Sequence, residues 1–573
     1  MPQIVLPFPD TEWSPAAHHE AGCAVCSAIQ PELLEQVRQH PHLNRYLHTL
    51  PFEEFGAPSY YEKLERKLGA MEQPNVIYPV GNATFAHICP DAKDARNHYI
   101  PIEPVILSDY DQLMEVVEEL LVDAVHRFHQ PSNSEEQKEV LLHALDRVVS
   151  VRGPGSARPP DGNWRKNKKG SRVVVGQDDL DAVRYLLLRD KIGLGIIDPL
   201  ILDPNIEDIS CSGLGPVFLE HKIFKALKSA IVFDKHEDLD AFLRRTSERI
   251  NKPVTYRKPI VDATLPDGSR VNIVYGEEVS KRGSNFTIRK FTATPLSVLD
   301  IVSGGSCTYQ MIAYLSIMIE EGMNLWVSGE TASGKTTLLN ALTTFMRADA
   351  KIVTVEDTPE VQIPHPNWLR EVVRGAAGEA ASVTMFDLLK AALRQRPNAI
   401  IVGEIRGEEG NIAFQAMQTG HAVMATFHAA TVEKLIQRVT AAPILVPKSY
   451  IDNLNIVVIA SAVKLPSGKL GRRILSINEL FGYDSVTDSF SYAEVFHWDP
   501  ISDVHEFTGY MNSYLLENKV APARGIPPNQ RRRIYQEIDR RAKVLEKLHK
   551  SSGITDFYEL YKVLGNAKKQ GLF

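Results

Sequence analysis

Eight residues, Gly329-Glu330-Thr331-Ala332-Ser333-Gly334-Lys335-Thr336, constrain this chain more than any others. Their spacing is G-x-x-x-x-G-K-[ST], and they stand between an apolar run, Leu325-Trp326-Val327-Ser328, and a helical pattern that starts near Thr337 and continues through Leu338, Leu339 and Ala341. A strand, a glycine-rich loop and a helix in that order curl successive backbone N–H groups around phosphate oxygens, at the positive end of the helix. Lys335 is placed to meet the β- and γ-phosphates, and the Thr336 hydroxyl suits Mg²⁺. ATP with Mg²⁺ is the expected ligand, cradled by Gly329 through Thr337.

Strands and helices alternate from about residue 295 onward, as in a doubly wound parallel sheet. Two more apolar runs in that stretch end in acids. Ala399-Ile400-Ile401-Val402 leads into Gly403-Glu404, and Ile352-Val353-Thr354-Val355 leads into Glu356-Asp357. The carboxyl ends of such strands are where these sheets bind ligands. Glu404 is expected to order the attacking water and to reach the metal through water, because Gly403 stands where an aspartate often sits. Glu356 is the second acidic candidate for the same work. His421 and His428 flank the apolar run Ala422-Val423-Met424-Ala425-Thr426, one at each end of an expected strand.

The upstream half divides less regularly. Residues 1–74 form a variable extension, 75–151 a helical and strand region, 152–172 a basic Gly/Pro-rich loop or linker, and 173–294 a mixed α/β domain; the ATPase domain is expected over 295–500 and a helical tail over 501–573. A helix is expected from Asp111 to His129 and a strand at Val76–Val80. The cluster Arg165, Lys166, Lys168 and Lys169 invites a nucleic-acid reading, but a solvated linker explains it as well. The formal net charge of −7 argues against a protein built to coat nucleic acid. No window reaches the ~18 consecutive apolar residues of a membrane helix, and Met1–Trp13 lacks the pattern of a secretory signal. Five cysteines in 573 residues fit a reducing cytoplasm rather than a disulfide framework. His18 or His19 with Cys23 and Cys26, and distant Cys89, could hold a structural zinc; free thiols are the plainer expectation, since the second C-x2-C half of a zinc ribbon is missing.

Taken together, Gly329–Thr336, Val355-Glu356-Asp357-Thr358-Pro359-Glu360, Val402-Gly403-Glu404-Ile405-Arg406-Gly407 and Thr419-Gly420-His421 through Thr426-Phe427-His428 resemble the Walker A, Asp box, atypical Walker B and His box of the type II/type IV secretion ATPase family. Asp203-Pro204-Asn205-Ile206-Glu207-Asp208-Ile209 resembles that family's N-domain entry, and His365-Pro366-Asn367-Trp368 has the wording of its archaeal members, the archaellum motors and archaeal type IV pilus ATPases. The resemblance implies a RecA-like P-loop domain, a smaller mixed α/β N-terminal domain and a helical C-terminal tail. It also implies an ATP-hydrolysing homohexamer, cytoplasmic and held at the membrane through a polytopic platform protein and other components of the filament machine, that assembles or rotates a filament. Arg270 and Arg289 match the family's paired N-domain arginines, with Arg282 a looser match, and His421 and His428 its γ-phosphate sensors. A nucleic-acid-translocating or conjugation-type motor is the alternative; without a strong basic face, no nucleic-acid partner is expected.

Overall fold

A computed structural model describes residues 3–9, 23–81, 83–91, 94–105, 110–125, 133–152, 164–167, 170–291, 295–374 and 382–573. The chain separates into two units, 1–291 and 292–573. His18, His19, Lys168, Lys169 and His129 lie outside the described residues.

In the first unit a mixed sheet runs, strand by strand, Ile260–Thr264, Arg270–Val274, Asn285–Arg289, Ile206–Cys211, Gly215–His221, Lys225–Phe233, His98–Ile102, Phe85–Cys89, Val76–Pro79 and Ser59–Tyr60. Alternation decides which way its side chains face: Val271, Ile273, Phe286 and Ile288 are buried, while Arg270, Asn272, Thr287 and Arg289 point outward. The strand His98–Ile102 pairs in parallel with Lys225–Phe233, so a single sheet draws strands from sequence on both sides of the basic stretch. The helix expected from Asp111 spans Tyr110–Val125 and packs with Ser134–Val148 and Gln177–Lys191 around Leu113, Val117, Leu145 and Leu187. Arg165–Lys166 pairs with Val173–Val175 in a three-stranded sheet.

The second unit is built on a nine-stranded sheet. Six of its strands are parallel and consecutive in space: Trp368–Val372, Ile352–Glu356, Ala399–Ile405, Ala422–Phe427, Leu325–Gly329 and Ile456–Lys464. Parallel strands covered on both faces read as unbroken apolar runs, and Leu325–Gly329 and Ile352–Glu356 are buried at every position. Antiparallel strands Leu470–Asp484 and Ser489–Asp499 extend the sheet beyond Ile456–Lys464. The expected helical tail forms Ile534–Lys550 and Phe557–Lys569. Ile534, Ile538 and Leu545 are buried in one core with the helix Tyr309–Glu320, and Arg541 seals the contact with bonds to Ser316 (3.0 Å) and Glu320 (2.6 Å).

Candidate functional site

The site grows from the end of Leu325–Gly329. Gly329 is required by space, since a Cβ there would meet the Ala460 carbonyl at 2.0 Å. Gly334 caps the helix Lys335–Leu342 from the left-handed region, at φ 89°, where a side chain would be strained. Between them Ser333 donates to the Glu330 carbonyl at 2.8 Å, closing the loop on itself. Lys335 lies over the loop, donating to the carbonyls of Gly329 (3.0 Å) and Glu330 (2.8 Å). Partial burial holds its ammonium below the usual lysine range; the Glu404 carboxylate opposes that shift and Arg406 adds to it. Thr336 and Thr337 follow on the first turn, half-buried.

Register brings the other motifs to the same edge of the sheet. Ser328 sits opposite Phe427, Phe427 opposite Ile405, and Val402 opposite Val355. Glu404 therefore emerges one strand removed from the phosphate loop, with Arg406 hydrogen-bonded to its carboxylate. Glu356, on the next strand out, is 1% exposed. Its Oε1 accepts the N–H groups of Glu360 (2.9 Å) and Val361 (2.7 Å), while its Oε2 has no hydrogen-bond partner among the described residues and lies 3.7 Å from Arg370 Nε. Burial pushes this carboxyl up to about 7, against the pull of those N–H groups and of Arg370.

The absent Walker B aspartate now has a spatial reason. A Cβ on Gly403 would lie 3.1 Å from Glu356 Cγ and 3.4 Å from its Cβ, so a side chain at 403 would press on the neighbouring glutamate and require it to give by a few tenths of an ångström.

The two histidines part company. His428 follows directly on Ala422–Phe427, and its Nδ1 is 3.0 Å from the Gly329 carbonyl of the phosphate loop. Ser328 donates to the Ala429 carbonyl (2.6 Å) and accepts the Ala429 N–H (3.2 Å), and Arg438 donates to the His428 carbonyl, so the backbone at His428 is fixed from both sides. His421 precedes the same strand and bonds Thr419 at 3.0 Å. Six extended residues span about 20 Å. Within this unit His421 is thus carried to the opposite end of the strand, and the two histidines are not brought together.

Arg270 and Arg289 belong to the first unit, directly opposite each other on neighbouring strands with both side chains on the outward face. Asp262 holds Arg270 in a two-pronged pair (2.9 and 2.6 Å), and Arg289 faces Asp208 across the next strand. Arg282 is exposed in the turn before Asn285–Arg289.

Sequence reasoning missed Arg472, which reaches from the antiparallel strand Leu470–Asp484 to donate to the Ala332 carbonyl of the phosphate loop at 3.1 Å. Nothing local marks it; only the pairing of Ala462 with Arg472 brings that strand over the loop. Arg370, which comes near Glu356 and whose other nitrogen donates to the Pro359 carbonyl, was equally silent.

A phosphate loop at the head of a parallel sheet, with acids leaving neighbouring strands on the same edge, defines a P-loop NTPase with a RecA-like core. The sequence pattern of the type II/IV secretion system protein family matches residues 190–464. An uncharacterized protein of Methanocaldococcus jannaschii is 40% identical over 546 residues, covering 95% of this chain and 98% of its own length. The type IV secretion system protein PtlH of Bordetella pertussis is 32% identical over 227 residues, 36% of this chain and 67% of PtlH. The chain belongs to the type II/IV secretion system protein family. The solved pilus retraction motor PilT with bound ADP is 18% identical, covering 50% of this chain and 82% of PilT, with a TM-score of 0.37, a likeness too loose to bear on the site.

Proposed function

We propose that the chain hydrolyses ATP and converts each turnover into subunit motion within a homohexamer that serves an archaellum or type IV pilus-like filament machine. The observation that carries the reading is the convergence of Lys335, His428 and the two acid-bearing strands on one sheet edge around the phosphate loop. The loop fits a polyphosphate because Gly329 and Gly334 leave the backbone room to close on it. Thr336 and, through water, Glu404 would hold Mg²⁺, which supplies neutralisation of phosphate charge. Lys335 binds the β- and γ-phosphates. Glu404 orders the attacking water, and its pair with Arg406 fixes the carboxylate's direction. Glu356, with its carboxyl near 7, can hold or release a proton at neutral pH and is the second candidate for that water. His428 reads the occupancy of the loop through its contact at Gly329.

Arg270 and Arg289 act on the nucleotide of a neighbouring subunit; a guanidinium gives planar, two-pronged contact to phosphate and stays charged. Arg270 must then exchange Asp262 for phosphate, which makes that ion pair a latch. Family relatives named as secretion system proteins support a membrane-associated machine, reached through a polytopic platform partner from the cytoplasmic side. No described helix is long and apolar enough to cross a membrane.

The test is steady-state turnover of Lys335→Ala and Glu404→Gln, each with nucleotide binding measured separately. Lys335→Ala should abolish turnover. Glu404→Gln should bind ATP and hydrolyse it at least ~10²-fold more slowly. Near-normal turnover in the Glu404→Gln protein would move the water-ordering role to Glu356.

A further inference from the structure

The first unit holds a cluster that the ATPase reading leaves unused. Cys23 Sγ lies 3.3 Å and Cys26 Sγ 3.9 Å from the same atom, His48 Nε2. The three donor atoms lie within 4.8 Å of one another, and neither thiol is in a disulfide. We propose that Cys23, Cys26 and His48 are the ligands of a zinc ion that clips the segment beginning at Cys23 to the helix Pro41–Thr49.

The geometry is already that of a coordination shell. With zinc–sulfur bonds of about 2.3 Å, zinc–nitrogen bonds of about 2.05 Å and tetrahedral angles, the sulfur-to-nitrogen edge is about 3.6 Å. The two observed distances fall on either side of it. The imidazole is also held in the tautomer a metal needs. His48 Nδ1 is 2.8 Å from the Asn44 carbonyl, to which it donates, and this leaves the lone pair of Nε2 directed at the two sulfurs. Thiolate and imidazole donors together suit zinc rather than calcium or magnesium. Three protein donors and one water fill its four positions.

Apolar packing brings the two arms of the site together independently of any ion. Ile29, Leu33, Leu43, Leu47 and Leu50 are buried in one cluster with Ile77 and Ile100 of the sheet, and Val25 packs against it. No local pattern points to His48, because it comes 22 residues after Cys26 and the turn between Pro31–Gln39 and Pro41–Thr49 folds it back. Cys89 is not part of the cluster; its thiol donates to the Pro90 carbonyl.

The test uses the full-length chain. Purified protein should retain about one zinc per chain, as a single site requires. Metal-free protein titrated with Co²⁺ should develop a thiolate-to-cobalt charge-transfer band that saturates at one equivalent. His48→Asn should retain at least ~10-fold less zinc at equal free metal. X-ray absorption of the zinc-loaded native chain guards against mere misfolding of that variant: it should show two sulfurs at about 2.3 Å with light donors at about 2.0–2.1 Å. The proposal is overturned by native protein without zinc or a cobalt–thiolate band, by thiol counting that finds Cys23 and Cys26 joined as a disulfide, by a shell of four sulfurs, or by full zinc retention in His48→Asn.

Discussion

Glu356→Gln is the perturbation whose outcome follows most directly from the structure. The carboxyl is buried with one oxygen bonded to two backbone N–H groups and the other 3.7 Å from Arg370, with no hydrogen-bond partner among the described residues. Burial wins, and the group titrates near 7 rather than 4.5. A raised acid binds its proton more tightly in the folded chain than in the unfolded one, so stability must fall as pH rises from about 4.5 through 7. The move from 4.5 to about 7 corresponds to about 3 kcal/mol over the whole window, of which about 2 kcal/mol falls between pH 5.5 and 8. Gln keeps the oxygen that accepts the two N–H groups and cannot ionise, so it removes this pH dependence with little other change.

The assay is calorimetry of the full chain at pH 5.5 and 8, following the transition that ADP shifts upward, since ligand binding marks the unit that holds the site. For a unit of this size about 2 kcal/mol is about 3–4 °C. Native protein should therefore lose about 3–4 °C more between the two pH values than Glu356→Gln does. Parallel losses in the two proteins would refute the reasoning. A variant destabilised equally at both pH values would show that Glu356 is ionised throughout and that Arg370 dominates its surroundings.

Four further outcomes are expected. In mixed rings, Lys335→Ala subunits should restore turnover to Arg270→Ala or Arg289→Ala subunits if the arginines act across a subunit boundary; demonstrated mixing without rescue would place them in cis. Arg472→Ala should raise the KM for ATP several-fold while leaving kcat near native, because it removes the bond to Ala332 without touching the acids; an unchanged KM would make that bond incidental. Gly403→Ala should lower the melting temperature of the second unit by an amount equivalent to about 1–3 kcal/mol, the usual cost of overpacking, since its methyl would press on Glu356; an unshifted melt would show that Glu356 moves freely. His428→Ala should slow turnover by more than 10-fold and His421→Ala by less than 2-fold, a split set by the length of the strand between them; equal losses would bring His421 back to the site.

The parallel core was legible because its strands are buried on both faces and therefore carry no polar alternation to confuse the reading: Leu325–Gly329, Ile352–Glu356, Ala399–Ile405 and Ala422–Phe427 all fall where the apolar runs stand. The phosphate loop was legible because its chemistry is local, eight residues that need no partner from elsewhere to be recognised. What could not be read is non-local. Arg472 and His48 acquire their neighbours only through chain reversals, over a hairpin in one case and between two helices in the other. The separation of His421 from His428 was legible, because the two residues bracket an apolar run of strand length.

Gly403 shows how one missing side chain can be a consequence rather than a defect. In a sheet of parallel strands the residue at the end of one strand competes for volume with its neighbour on the next, and here Val402 is in register with Val355, so position 403 abuts Glu356. A second acid at that level would need Glu356 to give way by a few tenths of an ångström, and its carboxylate would face like-charge repulsion from the buried one. Moving one acid along the strand to Glu404 separates their environments. Glu404 is half-buried, paired with Arg406 and close enough to Lys335 to oppose the lowering of its pKa. Glu356 is enclosed and protonates near 7. Two carboxyl groups with unequal surroundings on one edge can divide the work, one lying beside the lysine and the other exchanging a proton at neutral pH. Gly403→Asp therefore should not improve the site: it should displace Glu356 and raise the pKa of one of the crowded carboxyls. Turnover should fall rather than rise, and a variant as active as the native protein would show that the glycine is not what keeps the two acids apart.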